Sequence, residues 1–282
     1  MINQDDKAHV IYHGNCADGF GAAWCFHTTC PGKFTFHAGV YQQNPPELSN
    51  TQIFLVDFSY KRDVVRQLLD QGNKITLIDH HKSAIEDLKD LIDDCYIEAY
   101  VDTNRSGATL AWEYWYGNRA AMPKLLAHIE DRDLWRFVLP YTREIQANVF
   151  SYPYEFPVWD ELMYRNVNEL VAEGKAIERK HHKDIAELLG VTTRMLTIGG
   201  YTVPVANVPY TLTSDAGHVL CDTYGSPFAA CYWDTPGGRV FSLRSKDDGL
   251  DVSEIAKKYG GGGHPHASGF KIPLTELPEY MR

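Results

Sequence analysis

Apolar residues in the first third of the chain come in short unbroken runs. Val10-Ile11-Tyr12 is one, Ile53-Phe54-Leu55-Val56 another, and Ile75-Thr76-Leu77-Ile78 a third. Runs of this length, apolar toward both faces, predict strands of a buried parallel sheet. Each run stops at side chains foreign to a core: His13 with Asp18 just beyond, then Asp57, then Asp79-His80-His81. Residues 17–28, rich in Ala, Trp and Phe after Gly19 and Gly21, predict a helix. Over 61–71, Val64, Val65, Leu68 and Leu69 recur at helical spacing, with Gly72 placed to cap that helix. Strand, helix and strand within about 25 residues form a right-handed crossover, hence a parallel sheet.

Farther along, 105–137 predicts helix through Leu110, Trp112, Trp115, Leu125, Leu126 and Ile129, and the aromatic, proline-rich 150–160 predicts a loop. A long charged helix follows over 161–189, its Arg179 to Lys183 face read as solvated. After Gly199-Gly200 the texture changes to short β-rich runs at 201–208, 228–233 and 239–244, broken by Pro236-Gly237-Gly238. Asp251 and Glu254 form a capping-box pattern ahead of Val252, Ile255, Ala256 and Tyr259, and a strand is expected over Ala267 to Ile272. The expected architecture is α/β: a parallel-sheet catalytic domain over 1–160, a helical linker over 161–195, and a smaller α/β substrate-binding domain over 196–282.

Composition narrows the function. With 44% apolar and 23% charged residues the chain reads as globular. A formal net charge of −10 argues against coating long nucleic acid, but leaves room for a small phosphorylated substrate, because bound divalent ions invert the local field. No apolar stretch is long enough to span a bilayer, so no membrane partner is expected. The start, MINQDDKAHV, does not read as a signal peptide. The six cysteines form no C-x-x-C pair, which excludes zinc ribbons and redox motifs of that type and suits a reduced cytoplasmic setting.

In an open parallel sheet, ligands bind beyond the carboxyl ends of the strands. His13, Asp18, Asp57, Asp79 and His80, with His81 beside them, would therefore converge. Carboxylates with imidazoles are the donor set of Mn- or Zn-type clusters, and a two-metal hydrolytic site needs about five to seven such ligands. One more carboxylate is expected from Glu130-Asp131-Arg132-Asp133 at the end of an apolar helix. Taken singly, each of these is more often a cap or turn residue; three strand ends in topological order favour the shared site. A second constellation is Gly260 to Gly263 with His264 and His266, where successive N–H groups would form an anion nest. Ser242 and Arg244 lie upstream in a β pattern, where Arg244 would fork onto a phosphate. The bland alternative there is a flexible linker.

The segments IYHGNCADGFGAA, LVDFS, LIDHH, EDRDLW and FSLRSKDDGLDVSEIAKKYGGGGHPHASGF together resemble the DHH phosphoesterase superfamily with its C-terminal DHH-associated domain, of the oligoribonuclease and exonuclease type. The resemblance implies two divalent metal ions, Mn first with Mg, Co or Zn as alternatives, and an active site in the cleft between a metal-binding domain and a substrate-gripping one. It implies His13, Asp18, Asp57, Asp79, His80 and either Asp133 or Asp131 as the metal set, Asp133 being favoured. Asp57 would bridge the ions, and His81 would be the acid or electrostatic partner of the reacting phosphate. Asp57, Asp79 and His81 are thus the catalytic group, and Ser242, Arg244, Gly261, Gly262, Gly263, His264 and His266 the substrate clamp. One departure stands out. Cys16 occupies the place of the first aspartate of the first motif, and His13 lies one residue nearer than usual. Cys16 is read as a small bystander in preference to a soft ligand, and Asn15 as a further shell residue. The expected activity is hydrolysis of phosphodiester bonds in short oligonucleotides or dinucleotides. The alternatives are a polyphosphatase or pyrophosphatase, a 3′-phosphoadenosine nucleotide phosphatase, or a catalytically weak nucleotide-binding sensor. Trp135, Tyr152 and Tyr154 are positioned in the sequence to stack on bases, or equally to fill the core.

Overall fold

In a computed structural model of the chain, which describes residues 8–41, 43–117 and 121–279, the apolar runs are strands of one parallel sheet. In chain order the first elements are β1 (Ala8–His13), α1 (Ala17–Thr29), β2 (Phe34–Gly39), β3 (Gln52–Val56), α2 (Arg62–Asp70), β4 (Lys74–Asp79), two short helices α3 (Lys82–Asp87) and α4 (Lys89–Asp93), and β5 (Glu98–Val101). The strand order is β2-β1-β3-β4-β5, with every neighbouring pair parallel. Alternate residues supply two separate cores, which explains why the runs are apolar throughout. Val10, Phe54, Val56 and Ile78 join one core with Phe20, Trp24, Phe26 and Trp159. Ile11, Ile53, Leu55, Ile75 and Leu77 join the other with Val65, Leu68 and Leu91. The chain leaves β1 for β2 on one side and returns to β3 on the other, so the crevice of a topological switch point lies at the ends of β1 and β3.

Five helices follow: α5 (Gly107–Tyr116), α6 (Lys124–Asp133), α7 (Thr142–Val149), α8 (Phe156–Tyr164) and α9 (Val167–Thr192). The single helical stretch expected over 105–137 is thus two helices. Gly117, at φ 67°, ends α5 in a left-handed cap, and Pro123 caps α6. The segment expected as a loop over 150–160 becomes helical from Phe156, with Pro157 in the first turn, where its missing N–H costs nothing. The helix expected over 161–189 starts within α8, breaks after Tyr164, and resumes as α9.

The chain divides into two compact units, Met1–Glu178 and Arg179–Arg282, with the division inside α9. The second unit contains β6 (Arg194–Ile198), β7 (Tyr201–Asn207), α10 (Thr213–Tyr224), β8 (Ala229–Thr235), β9 (Gly238–Arg244), α11 (Val252–Lys257), β10 (Gly262–His264) and β11 (Ala267–Ile272). Its sheet runs β10-β11-β9-β8-β7-β6, antiparallel except for the β7–β8 pair. Asp251 caps α11 by accepting from the Ser253 N–H at 3.0 Å. The face of α9 read as solvated is not wholly so: His181 Nε2 lies 3.0 Å from Asp215 Oδ2 on α10. Among the described residues, no helix is long and apolar enough to cross a membrane.

Candidate metal centre

The strand ends of the first unit bring His13, Asp57, Asp79, His80 and His81 together, and two helix ends add Asp18 and Asp133. Asp57 lies at the middle. It follows β3 directly, at φ 53°, a left-handed backbone that few non-glycine residues adopt. Its Oδ1 lies 3.1 Å from His80 Nε2, and its Oδ2 3.5 Å from His13 Nδ1. The two carboxylate oxygens therefore face different neighbours, Oδ2 toward His13 and Oδ1 toward His80 and His81, and Asp57 also groups with Asp79, His80 and His81; two further donor groups flank it. One comprises His13, Cys16 and Asp57, the other Asp18, His80 and Asp133; within each, the ligand atoms lie within 4.8 Å of one another. His80 joins the groups, with Asp133 Oδ2 at 3.5 Å and Asp18 Oδ2 at 3.7 Å from its Nε2.

Asp79 has a positioning geometry. Its Oδ1 accepts from the backbone N–H of His80 (2.7 Å) and of His81 (3.0 Å) and lies 2.7 Å from His81 Nδ1. This fixes the His81 ring with Nδ1 toward Asp79. Asp18, fully buried, is held by the start of α5. The N–H groups of Gly107 and Ala108 donate to its two oxygens at 2.5 and 3.0 Å, the arrangement expected of an anion at a helix N-terminus.

The two alternatives at the end of α6 separate. Asp133 joins the cluster, whereas Asp131 does not. Both Asp131 oxygens are taken by the returning loop: Val138 N–H at 2.9 Å and Leu139 N–H at 3.1 Å, with the Thr142 hydroxyl at 2.6 Å. Asp131 is a loop organiser, which corrects its inclusion in the metal set. The reading of Cys16 as a bystander also meets an obstacle, since its thiol lies in the His13–Asp57 group.

Charge within the cluster is unbalanced. Burial pushes Asp18 up, and the nearby Asp57 and Asp133 push it further, well above the usual carboxylate range. Burial likewise raises Asp133, with Asp57 adding to it against the pull of His80. Burial alone would make His13 and His80 neutral. The Asp57 carboxylate beside both, with Cys16 assisting at His13 and the charges of Asp133 and Asp18 at His80, holds both well above the usual imidazole range. Asp57 is buried yet held well below the ordinary carboxylate value by His13, His80 and His81. Protons on two imidazoles are thus the neutralising charge available to the carboxylates from this group. Asp57 Oδ2 and Asp79 Oδ2 are buried without a hydrogen-bond partner. Orphaned carboxylate oxygens beside clustered imidazoles are the donor set of a divalent cation site.

Two glycines set this geometry: Gly107, which sequence reasoning assigned no role, and Gly19, which it read only as a marker of the helix start and which lies inside α1. A Cβ on Gly107 would lie 2.4 Å from Asp57 Cβ, and one on Gly19 would lie 2.4 Å from the carbonyl oxygen of His13. The Ser106 N-cap, whose Oγ accepts from Thr109 N–H, marks the start of α5 in the sequence. Its approach to Asp57 has no local signal. Tyr152 and Tyr154 pack against the core, the latter beside Phe20 and Trp159, so their placement favours the core reading. Trp135 instead lies under the Arg132 guanidinium at 4.2 Å, two residues after Asp133. Asn15 adopts φ 56° in the turn before α1.

In the second unit, Arg244 ends β9 and its fork is already organised. It donates to Ser214 Oγ at 2.7 Å and to Ser242 Oγ at 3.0 Å. The glycine run is a β-hairpin, not an open nest. Gly262 pairs with Gly269, Gly263 with Ser268 and His264 with Ala267. A Cβ on Gly261 would lie 2.0 Å from the Gly269 carbonyl oxygen, so strand approach is what demands glycine there. His266, in the hairpin turn, lies 2.9 Å from the Ser245 hydroxyl.

The chain is 30% identical to the uncharacterized protein R106 of Acanthamoeba polyphaga mimivirus, over 95% of this chain and 68% of that protein. It is 25% identical to the oligoribonuclease NrnB of Bacillus subtilis, over 79% of this chain and 60% of that protein. Residues 211–281 match the DHHA1 domain family. The chain belongs to the DHH phosphoesterase superfamily. The fold of this DHH phosphoesterase agrees with two solved structures. One is the pGpG-specific phosphodiesterase PggH of Vibrio cholerae, with a TM-score of 0.50 and 15% identity over 96% of this chain and 94% of that one. The other is RecJ of Thermus thermophilus in complex with Mn2+, with a TM-score of 0.51 and 14% identity over 98% of this chain and 51% of that one.

Proposed function

We propose that this protein is a divalent-metal-dependent phosphodiesterase that hydrolyses short oligonucleotides or dinucleotides. The observation that carries the metal dependence is Asp57: a buried carboxylate whose two oxygens face different neighbours, one oxygen being without a hydrogen-bond partner. The oligonucleotide reading draws on the likeness to NrnB, an oligoribonuclease, and on a net charge of −10, which disfavours tracking of long polyanions.

In this reading His13, Asp18, Asp57, Asp79, His80 and Asp133 would hold two divalent ions. Those ions supply Lewis-acid polarisation of the phosphoryl group and activation of the attacking water. Through its Oδ1, Asp79 also anchors the His80 and His81 backbone and holds Nδ1 of the His81 ring, which would leave Nε2 to serve the departing oxygen. Arg244, pre-oriented by Ser214 and Ser242, provides a charged fork for a substrate phosphate. Catalysis then rests on positioning and charge neutralisation.

The test is a substrate panel in Mn, Mg or EDTA: an RNA dinucleotide, a pentanucleotide, long single-stranded DNA, pGpG, adenosine 3′,5′-bisphosphate and polyphosphate. The expected result is metal-dependent release of mononucleotides from the short RNAs, with at least about a hundredfold loss in Asp57→Asn, since even outer-shell changes at metal sites cost 10–100-fold. Turnover of polyphosphate alone would replace the oligonucleotide reading. Undiminished Asp57→Asn activity would remove the metal one.

A further inference from the structure

The two donor groups around Asp57 differ chemically. One offers Asp18, His80 and Asp133, all oxygen and nitrogen. The other offers His13, Asp57 and the sulfur of Cys16, with the three ligand atoms within 4.8 Å of one another. Cys16 is the N-cap of α1, yet its side chain makes no capping bond. Cys25, on the same helix, shows what an inert cysteine looks like here: it is enclosed in the core, with its thiol directed at the Ala108 carbonyl oxygen at 3.7 Å. An independent feature points to a cation beside Cys16. Asp57 is 1% exposed, and its Oδ2, on the His13 side, has no hydrogen-bond partner.

We propose that Cys16 is a metal ligand, so that the centre is asymmetric: a sulfur-containing position with His13 and Asp57 that takes a borderline ion of the Zn(II), Co(II) or Fe(II) type, beside a hard position with Asp18, His80 and Asp133 suited to Mn(II) or Mg(II). Thiolate shifts selectivity toward softer ions, whereas carboxylates suit Mn and Mg. The inference rests on the metal-centre reading above.

The deciding experiment loads metal-free full-length protein with Co(II) and records its absorption spectrum and bound stoichiometry. A sulfur-to-cobalt charge-transfer band, absent from Cys16→Ser and Cys16→Asp, is the expected result. Zn affinity should also drop about tenfold or more in Cys16→Ser, as ligand loss exceeds the effect of outer-shell changes. Mn stands low in the affinity order at any such site. The informative quantity is therefore the change in bound Zn:Mn ratio in an equimolar mixture, which should fall from wild type to Cys16→Asp. Two bound Co(II) ions without the band would overturn the role of Cys16 and leave the metal centre standing. No bound Co(II) in wild type would overturn both. The wild-type spectrum decides even where a variant fails to fold.

Discussion

Gly107→Ala tests how tightly the cluster is set by a residue that would itself hold no ion. The added Cβ would lie 2.4 Å from Asp57 Cβ, and 2.9 Å from both its Cγ and Oδ1. Carbon atoms in contact rest about 3.5–4.0 Å apart, so relief requires a shift of about 1 Å or more. Neither side can give that freely. The Gly107 N–H is bonded to Asp18 at 2.5 Å, and the Asp57 N–H to the Ile78 carbonyl oxygen at 2.9 Å. Whichever moves, one carboxylate of the centre moves with it. A misplacement of about 1 Å costs roughly a hundredfold in rate, about 2.7 kcal/mol of barrier, while overpacking costs about 1–3 kcal/mol of stability. The assay is kcat/KM on an RNA dinucleotide in Mn, with circular dichroism to confirm folding. Gly190→Ala in α9 is the control: its Cβ meets nothing within 4 Å, so activity should hold and stability rise by up to about 0.5–1 kcal/mol. Wild-type kcat/KM and metal affinity in a folded Gly107→Ala protein would refute the claim that α5 fixes the Asp57 carboxylate.

Three further outcomes are expected. Asp133→Ala should lower metal affinity at least about tenfold with folding intact, whereas Asp131→Ala should cost about 1–3 kcal/mol of stability through the N–H groups of Val138 and Leu139 left without an acceptor; metal titration and thermal melts separate the two. Arg244→Ala should raise KM roughly tenfold or more with a smaller change in kcat, as lost charged hydrogen bonds are worth about 1.5–3 kcal/mol, and steady-state kinetics would show it. In EDTA, stability should increase as pH is lowered from the alkaline side. His13, His80, Asp18 and Asp133 all have raised folded pKa values, so each contributes stability that is present below its unfolded value and lost as pH rises through the folded one. The opposite contribution, from the depressed Asp57, is lost only as pH falls through its low folded value. Melting curves across pH check this, and saturating Mn should reverse the trend, because cation and protons compete for the same donors.

What the sequence displays of this site follows from where polarity contrasts with its surroundings. His13, Asp57 and Asp79-His80 were legible because strands buried on both faces leave apolar runs, against which a carboxylate or imidazole at the end is conspicuous. By contrast, β5 (Glu98–Val101) is exposed along its length and carries no such signature. Asp131 and Asp133 sit two positions apart at one helix end; only the return of the chain through Val138, Leu139 and Thr142 distinguishes them, and that is not a local property. The same holds for Gly107, whose smallness answers to a residue on another strand end. The glycine run near the C-terminus has the composition of an anion nest, and only strand pairing reveals the hairpin.

The donors of this centre come from the ends of β1, β3 and β4, the start of α1 and the last turn of α6, while the clamp on Asp18 comes from α5. No short stretch of chain carries a full set, so the disordered polypeptide offers an ion little to chelate. On the proposed reading, ion capture would come late in folding, after the non-local pairings that make such topologies slow. A ligand that recognises the native state alone adds its binding free energy to the whole cooperative unit. The availability of divalent ions would then govern how long a finished molecule lasts, in addition to whether it reacts.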